Sequence, residues 1–305
     1  MNTEVHTHRA WWVRASPWRL WFHGLAIYLL ASPAFASLRV ETLQMPAWLQ
    51  RQGVTEPLAP GTGLRAGDVL RTGDDARVVL RLEEGSQVKL GENARFAIQE
   101  VAVEDDQWGL FRGLLEVMSG AFRFTTGALG ALRRRDVDIR VGLTAAGIHG
   151  TDIWGRSTQQ QDLVCLIEGN IEISRAGERV QMDVPLSVFI APRDGEPQPI
   201  SSVDPAQLAQ WAQQTEPQEG AGTLRPDGQW TLQLAASRSI KSAQNLVTRL
   251  RDAGYAAGNF AANVNGESWQ RVVIVGFVSE ADAHAAGAAL RSRFNLPSGW
   301  VSRLP

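Results

Sequence analysis

Residues 230–277 read WTLQLAASRSIKSAQNLVTRLRDAGYAAGNFAANVNGESWQRVVIVGF. From Trp230 to Ala235 apolar and polar residues alternate, with Leu232 and Leu234 on one face and Thr231 and Gln233 on the other, the period of a half-buried strand. Ser239 stands where an N-cap belongs, and the pattern behind it predicts a helix to about Asp252. Ala243, Leu246, Val247 and Leu250 form its buried stripe, and Gly254 ends it. A second strand is expected near Ala257 to Val264, an Asn265-Gly266 turn follows, and Trp269 to Phe277 is a third strand. Ser279 opens a second helix, SEADAHAAGAALRSRF, with Asp282 at the capping-box position. Gly299 to Leu304 closes the segment as a fourth strand. The order β-α-β-β-α-β predicts an α+β, ferredoxin-like module over 229–305, with both helices on one sheet face and the other face free.

This module resembles the SPOR domain. Trp230-Thr231-Leu232-Gln233-Leu234-Ala235-Ala236-Ser237 is similar to that family's x-V-Q-V-G-S-F strand. Trp269-Gln270-Arg271-Val272-Val273-Ile274-Val275-Gly276-Phe277 is similar to its W-x-R-V-x-V-G-P-F strand. Ala235-Ala236 replace the usual Gly-Ser, and Val278 replaces a Pro-like element. The resemblance implies binding to peptidoglycan, with a preference for glycan strands stripped of their stem peptides. Such strands expose sugar C–H faces and a free lactyl carboxylate on each muramic unit. A tryptophan offers a broad apolar face and an N–H donor, an arginine a planar fork matched to carboxylate. Gln233 can donate to and accept from hydroxyls or acetamides. Alternation in the third strand puts Trp269, Arg271, Val273 and Val275 on the open face and turns Val272 and Ile274 to the helices. The expected glycan-binding set is Gln233, Trp269, Arg271, Val273 and Trp300, although the sequence leaves the register of Trp300 open.

Upstream the texture changes. Residues 193–228 hold Pro197, Pro199, Pro205, Pro217 and Pro226 among many Gln, Ser, Gly and Glu, and read as a linker. Pro205 to Thr215 could form a short helix with Pro at its start. Charge divides here too. Eight Lys/Arg against four acids give residues 229–305 a net +4, and residues 37–228 carry −8. That split is either chance or a preference of the last module for an anionic polymer.

Residues 58–192, behind a lead-in at 37–57, are rich in short strands. Val78-Val79-Leu80-Arg81-Leu82 and Val88-Lys89-Leu90 lie between Gly73, Gly85 and Gly91. No helical period is sustained, so a β-sandwich or β-roll is expected. The stretch resembles the FecR domain. The similarity rests on Gly67-Asp68-Val69-Leu70-Arg71-Thr72-Gly73, on Leu82-Glu83-Glu84-Gly85-Ser86, on Thr144 to Asp152 (TAAGIHGTD) and on Val164 to Ile171 (VCLIEGNI). His149 stands where the family usually has Arg. In iron-transport regulators this domain is the extracytoplasmic part of a transmembrane sigma regulator, which implies relay by protein contact. Here any cytoplasmic segment would be too short to fold and grip a sigma factor. Gly150-Thr151-Asp152 reads as a turn with Asp152 bonding local backbone. Asp74-Asp75 and Asp105-Asp106 read as solvated turn acids, since no EF-hand spacing surrounds them. Cys165 reads as a buried small hydrophobe, and His149 as a turn or packing residue.

The first residues read as an export signal. Arg9, Arg14 and Arg19 precede an apolar run from Leu20 to Leu30, and Ala34-Phe35-Ala36 supplies an A-x-A cleavage site, so residues 1–36 are assigned as a signal peptide. The rival reading is an uncleaved membrane anchor, because the uncharged stretch Leu20 to Leu38 approaches spanning length. Either places the remainder outside the cytoplasm, periplasmic or anchored at the inner membrane.

At 305 residues the chain has room for two domains of about 150 residues each. With 44% hydrophobic and 20% charged residues it has a globular composition. A net charge of −2 gives no global field for nucleic acid. One cysteine excludes an intrachain disulfide and any cysteine-rich zinc site. Ser-x-x-Lys, Gly-x-Ser-x-Gly and His-Glu-x-x-His are absent. The expectation is a non-enzymatic envelope protein without cofactor or metal, which binds peptidoglycan glycan strands at division sites and offers its FecR-like domain to another envelope protein. The alternative is a membrane-anchored signal regulator acting by protein contact. An RNA binder is disfavoured by export and by the missing aromatic strand motif. A peptidoglycan hydrolase is disfavoured by the lack of a recognisable acid pair.

Overall fold

The computed structural model describes residues 38–103, 111–127, 135–148 and 150–304. The leader, Asp105-Asp106 and His149 lie outside them. Contacts gather Phe35–Pro305 into one unit.

The long strand Phe111–Thr125 organises the β domain. Its first half pairs with Arg95–Val103 and, in parallel, with Arg135–Val141. Its second half pairs with Gln87–Leu90 and Asp152–Ser157. The strand therefore belongs to two sheets, and Gly120 stands at the switch. Its φ is +89°, and a Cβ there would sit 2.5 Å from the Cα of Ala94, so the close crossing requires glycine. One sheet runs outward from this strand through Gln87–Leu90, Arg77–Leu82 and Leu38–Gln44 on one side. On the other side it runs through Asp152–Ser157, Gln161–Glu168 and Ser187–Pro192. The second sheet carries Val54–Pro57, Ala47–Arg51, Val69–Thr72 and Arg95–Val103 on one side. Beyond Arg135–Val141 it carries Thr144–Ile148, Ile171–Arg175 and Glu178–Met182. Leu38, Val78 and Phe122 from the first sheet share one buried cluster with Phe96, Leu115 and Ile139 from the second.

Two segments differ from their compositional reading. The lead-in supplies strands of the body: Leu38, Val40 and Leu43 are fully buried, because Leu38–Gln44 lies against Arg77–Leu82. The proline- and glutamine-rich stretch 193–228 is folded. Ser201–Ser202 pairs with Ser187 and Val188. Asp204 caps the helix Pro205–Gln213 by accepting from the Ala206 N–H at 2.8 Å. Trp211 stacks on Trp154 with centroids 5.1 Å apart, a contact of about 0.5–1.5 kcal/mol beyond its buried area. Glu216 takes Lys89 Nζ at 2.6 Å and Arg123 Nη1 at 3.3 Å. This strap covers the outer face of the first sheet over Ala121, Trp154, Leu163, Cys165 and Val188. That explains why Gln161–Glu168 reads as a continuous apolar run: both its faces are buried.

Cys165 is buried there. Burial, and then the charge of Asp152, push its thiol up to about 12, so the thiolate is scarce at neutral pH. We expect iodoacetamide at pH 8 to label native protein only as fast as the protein unfolds. Rapid labelling in native buffer would show that the strap opens locally.

Asp152 does not bond local backbone. It starts the strand Asp152–Ser157 and accepts a two-pronged bond from Arg123, at 2.9 and 2.6 Å, and the Thr125 hydroxyl at 3.3 Å. Cross-strand pairing sets Asp152 opposite Thr125. The bonds that Arg123 donates to Asp152 keep its guanidinium above its ordinary pKa despite burial.

The last segment forms Trp230–Ser237, helix Ile240–Asp252, Gly258–Val264, Glu267–Phe277, helix Glu280–Phe294 and Trp300–Arg303. Glu267–Phe277 pairs with Gly258–Val264 on one side and Trp230–Ser237 on the other, and Trp230–Ser237 also pairs with Trp300–Arg303. All these pairs are antiparallel. Ser239 and Ser279 cap the helices by accepting from the N–H groups of Ser242 and Asp282. The strap ends in the two-residue strand Thr223–Leu224, which pairs with Leu43 and Gln44 of the β domain while Leu224 also pairs with Phe277. The module is held further by the Trp48 indole N–H donating to Asp252 O at 3.1 Å and by Ala47 N–H donating to Gly254 O at 3.1 Å.

Candidate functional site

The open face of the last module is built by strand register. Gln233 stands opposite Val273 on one neighbour and Trp300 on the other. Arg271 stands opposite Phe260 and Ala236, and Trp269 opposite Ala262. Directly paired residues share a sheet face. Gln233, Val273, Trp300, Arg271 and Trp269 are therefore on one side, while Gln270, Val272 and Ile274 are buried on the other.

The members differ in what they present. Trp300 is 70% exposed and Arg271 is exposed, whereas Val273 is 7% exposed and forms floor between Gly258 and Gln233. Trp269 is half-buried. The Arg238 guanidinium lies 5.1 Å from its ring centroid and pairs with Glu267, so a cation covers part of that indole. The register of Trp300, open in the sequence, places the broadest free aromatic surface beside Gln233. The sequence reading missed Phe260, 55% exposed and directly opposite Arg271. Its signal was the strand alternation of Gly258–Val264, faint among alanines and asparagines. A Cβ on Gly258 would meet the Phe260 ring at 3.0 Å, so glycine leaves room for that ring to lie along the strand.

A bulge between Gln233 and Ala235 shifts the register, and Ala236 becomes the exposed neighbour of Arg271. A hydroxyl there would have reached the open face, and alanine removes it. The arrangement thus offers two exposed aromatic faces, an exposed guanidinium, a carboxamide and a second cation at the margin. Its chemistry is that of planar contact and hydrogen bonding.

Comparison with known proteins matches residues 226–303 to the model of the SPOR domain and residues 68–172 to that of the FecR protein family. The chain carries a FecR domain followed by a SPOR domain. No curated protein matches it. Among solved structures, a crystal structure of an anti-sigma factor candidate from Parabacteroides distasonis ATCC 8503 aligns with a TM-score of 0.39 at 13% identity, over 74% of this chain and 92% of that one. A second crystal structure of an anti-sigma factor candidate from that organism gives 0.38 at 13% identity, over 77% and 97%. The open face described above belongs to the SPOR domain, and the two-sheet body contains the FecR match. Among the described residues, no helix is long and apolar enough to cross a membrane.

Proposed function

We propose that this is an exported, non-enzymatic envelope protein of the periplasm. It docks on peptidoglycan through the open SPOR face, preferring peptide-stripped glycan at division sites, and offers its FecR domain to another envelope protein. The observation that carries this is the alignment of Gln233, Trp300, Arg271 and Phe260 in adjacent rows of one exposed sheet face. Sugar rings would stack on Trp300 and Phe260. The Arg271 fork would take the lactyl carboxylate, and the Gln233 amide would bond a hydroxyl or acetamide. The strand order supports a ferredoxin-like module, in which both helices leave this face clear. The +4 charge of 229–305 favours an anionic polymer.

The test is co-sedimentation of residues 37–305 with isolated sacculi, either intact or treated with an amidase that removes stem peptides. Pelleting should be stronger on stripped glycan. Trp300→Ala and Arg271→Ala should each weaken it about tenfold or more, as central aromatic and arginine contacts do. Wild-type protein that stays in the supernatant on both substrates would sink the reading. The FecR match favours a second one, a membrane-anchored regulator acting by protein contact. Recovery of uncleaved protein from membranes, together with no sacculus binding, would put it first.

A further inference from the structure

A cleft of about 600 Å³ lies where the FecR body, the strap and the last helix meet. Its floor is a cross-strand pair, Gln44 of Leu38–Gln44 opposite Arg77 of Arg77–Leu82. Arg77 is only 8% exposed. Its Nη1 donates to the carbonyl of its own neighbour Ala76 at 2.8 Å, and its Nε has no partner. Among the described residues no carboxylate pairs with it. A buried guanidinium without a counter-charge is costly, and the cleft is the space from which an anion could reach it. Gln44 Nε2 donates to Gln218 O at 2.6 Å and Thr223 Oγ1 at 2.8 Å, which leaves the amide oxygen as an acceptor. A second cation, exposed, also lines the cleft: Arg293 Nη1 is 3.5 Å from the Tyr255 hydroxyl.

The exposed rim also carries negative charge. Asp74 and Asp75 line it and are exposed. With two acids and Arg293 exposed at the rim and the Arg77 guanidinium buried beneath, the lining offers both signs of charge, the pattern that suits a zwitterion. The volume suits a ligand of two or three residues.

We propose that this cleft binds a short peptide with free ends, its carboxylate on Arg77 and its amino group at Asp74 and Asp75. This site is separate from the glycan face and does not depend on it. The test is calorimetric titration of residues 37–305 with alanyl-alanine in its L,L and D,D forms. N-acetyl-alanyl-alanine, alanyl-alanine amide and inorganic phosphate complete the panel. One free dipeptide should bind saturably, and each end-blocked form of it about tenfold more weakly, because each lacks one charge-assisted contact. Arg77→Lys, which keeps the charge and loses the fork, should weaken the dipeptide about tenfold. Asp75→Asn, on the surface, should weaken the free dipeptide and leave the N-acetylated form unchanged. Because Arg77 is buried, thermal melts would check that variant, and Asp75→Asn carries the test alone if Arg77→Lys unfolds. Absence of saturable binding by either dipeptide at millimolar concentration, phosphate binding as tightly as dipeptide, or indifference to Asp75→Asn would each overturn the proposal.

Discussion

Replacing Asp162 with alanine should cost about 3–5 kcal/mol of stability, the range for removing one partner of a buried charge cluster. The carboxylate is fully buried. Its Oδ1 lies 2.9 Å from Arg193 Nη2 and accepts the Ser157 hydroxyl at 3.0 Å. Its Oδ2 accepts the Leu143 N–H at 2.8 Å and faces Arg175 Nη1 at 3.4 Å. Arg175 and Arg193 side chains are 10% and 23% exposed, so neither can swing freely into water when the carboxylate goes. Asp162→Asn keeps the shape and can keep bonds to Ser157 and Leu143, so it should fall between wild type and alanine. Urea unfolding of the three proteins checks this. A loss below about 1 kcal/mol for alanine would mean that solvent replaces the carboxylate and that the cluster is not a fastening.

Asp282→Ala should cost about 2–4 kcal/mol, because it removes part of a helix cap and leaves two buried N–H groups without an acceptor. Asp282 is 2% exposed. Its Oδ1 accepts from Gly222 N at 3.1 Å and Thr223 N at 2.9 Å, and its Oδ2 takes the Ser279 hydroxyl. Those backbone groups begin the short strand that pairs with both Leu43 and Phe277. Amide exchange should therefore quicken at Gly222, Thr223 and Leu224 before it quickens in the strand Glu267–Phe277. Sacculus binding should persist, since no face residue is altered. Uniform quickening across the SPOR domain would show instead that Asp282 supports the whole module and not the joint.

The last module was the most legible part of the chain because its local signals agree with its tertiary contacts. Leu232 and Leu234 face in, Gln233 faces out, and Ser239 and Ser279 cap where they stand in the sequence. Phe260 escaped notice because a single aromatic in an alanine-asparagine strand carries little period. The strap was illegible for a different reason. Its glutamines and prolines describe a chain that cannot build its own core, and what orders it is a surface far away in sequence: Trp154 under Trp211, and Lys89 and Arg123 around Glu216. The role of Asp152 is hidden in the sequence because its partner, Arg123, lies 29 residues away on the adjoining strand. The lead-in strand Leu38–Gln44 carried a usable signal in its buried Leu38 and Val40, diluted by Glu41 and Thr42. The cleft had no sequence signature at all, since its floor and rim come from three separated segments.

The strap also governs how the protein could use two ligands at once. A slack tether lets a second binding event occur over a range of separations, with an effective concentration that declines smoothly as the tether lengthens. Here the connection between the domains is stitched down along its course, from the Trp211 stack to the Leu224–Phe277 pairing. A partner that holds the FecR domain while also touching the glycan would therefore meet both at one set distance. Such a partner gains the full chelate advantage when its own spacing fits, and none when it does not.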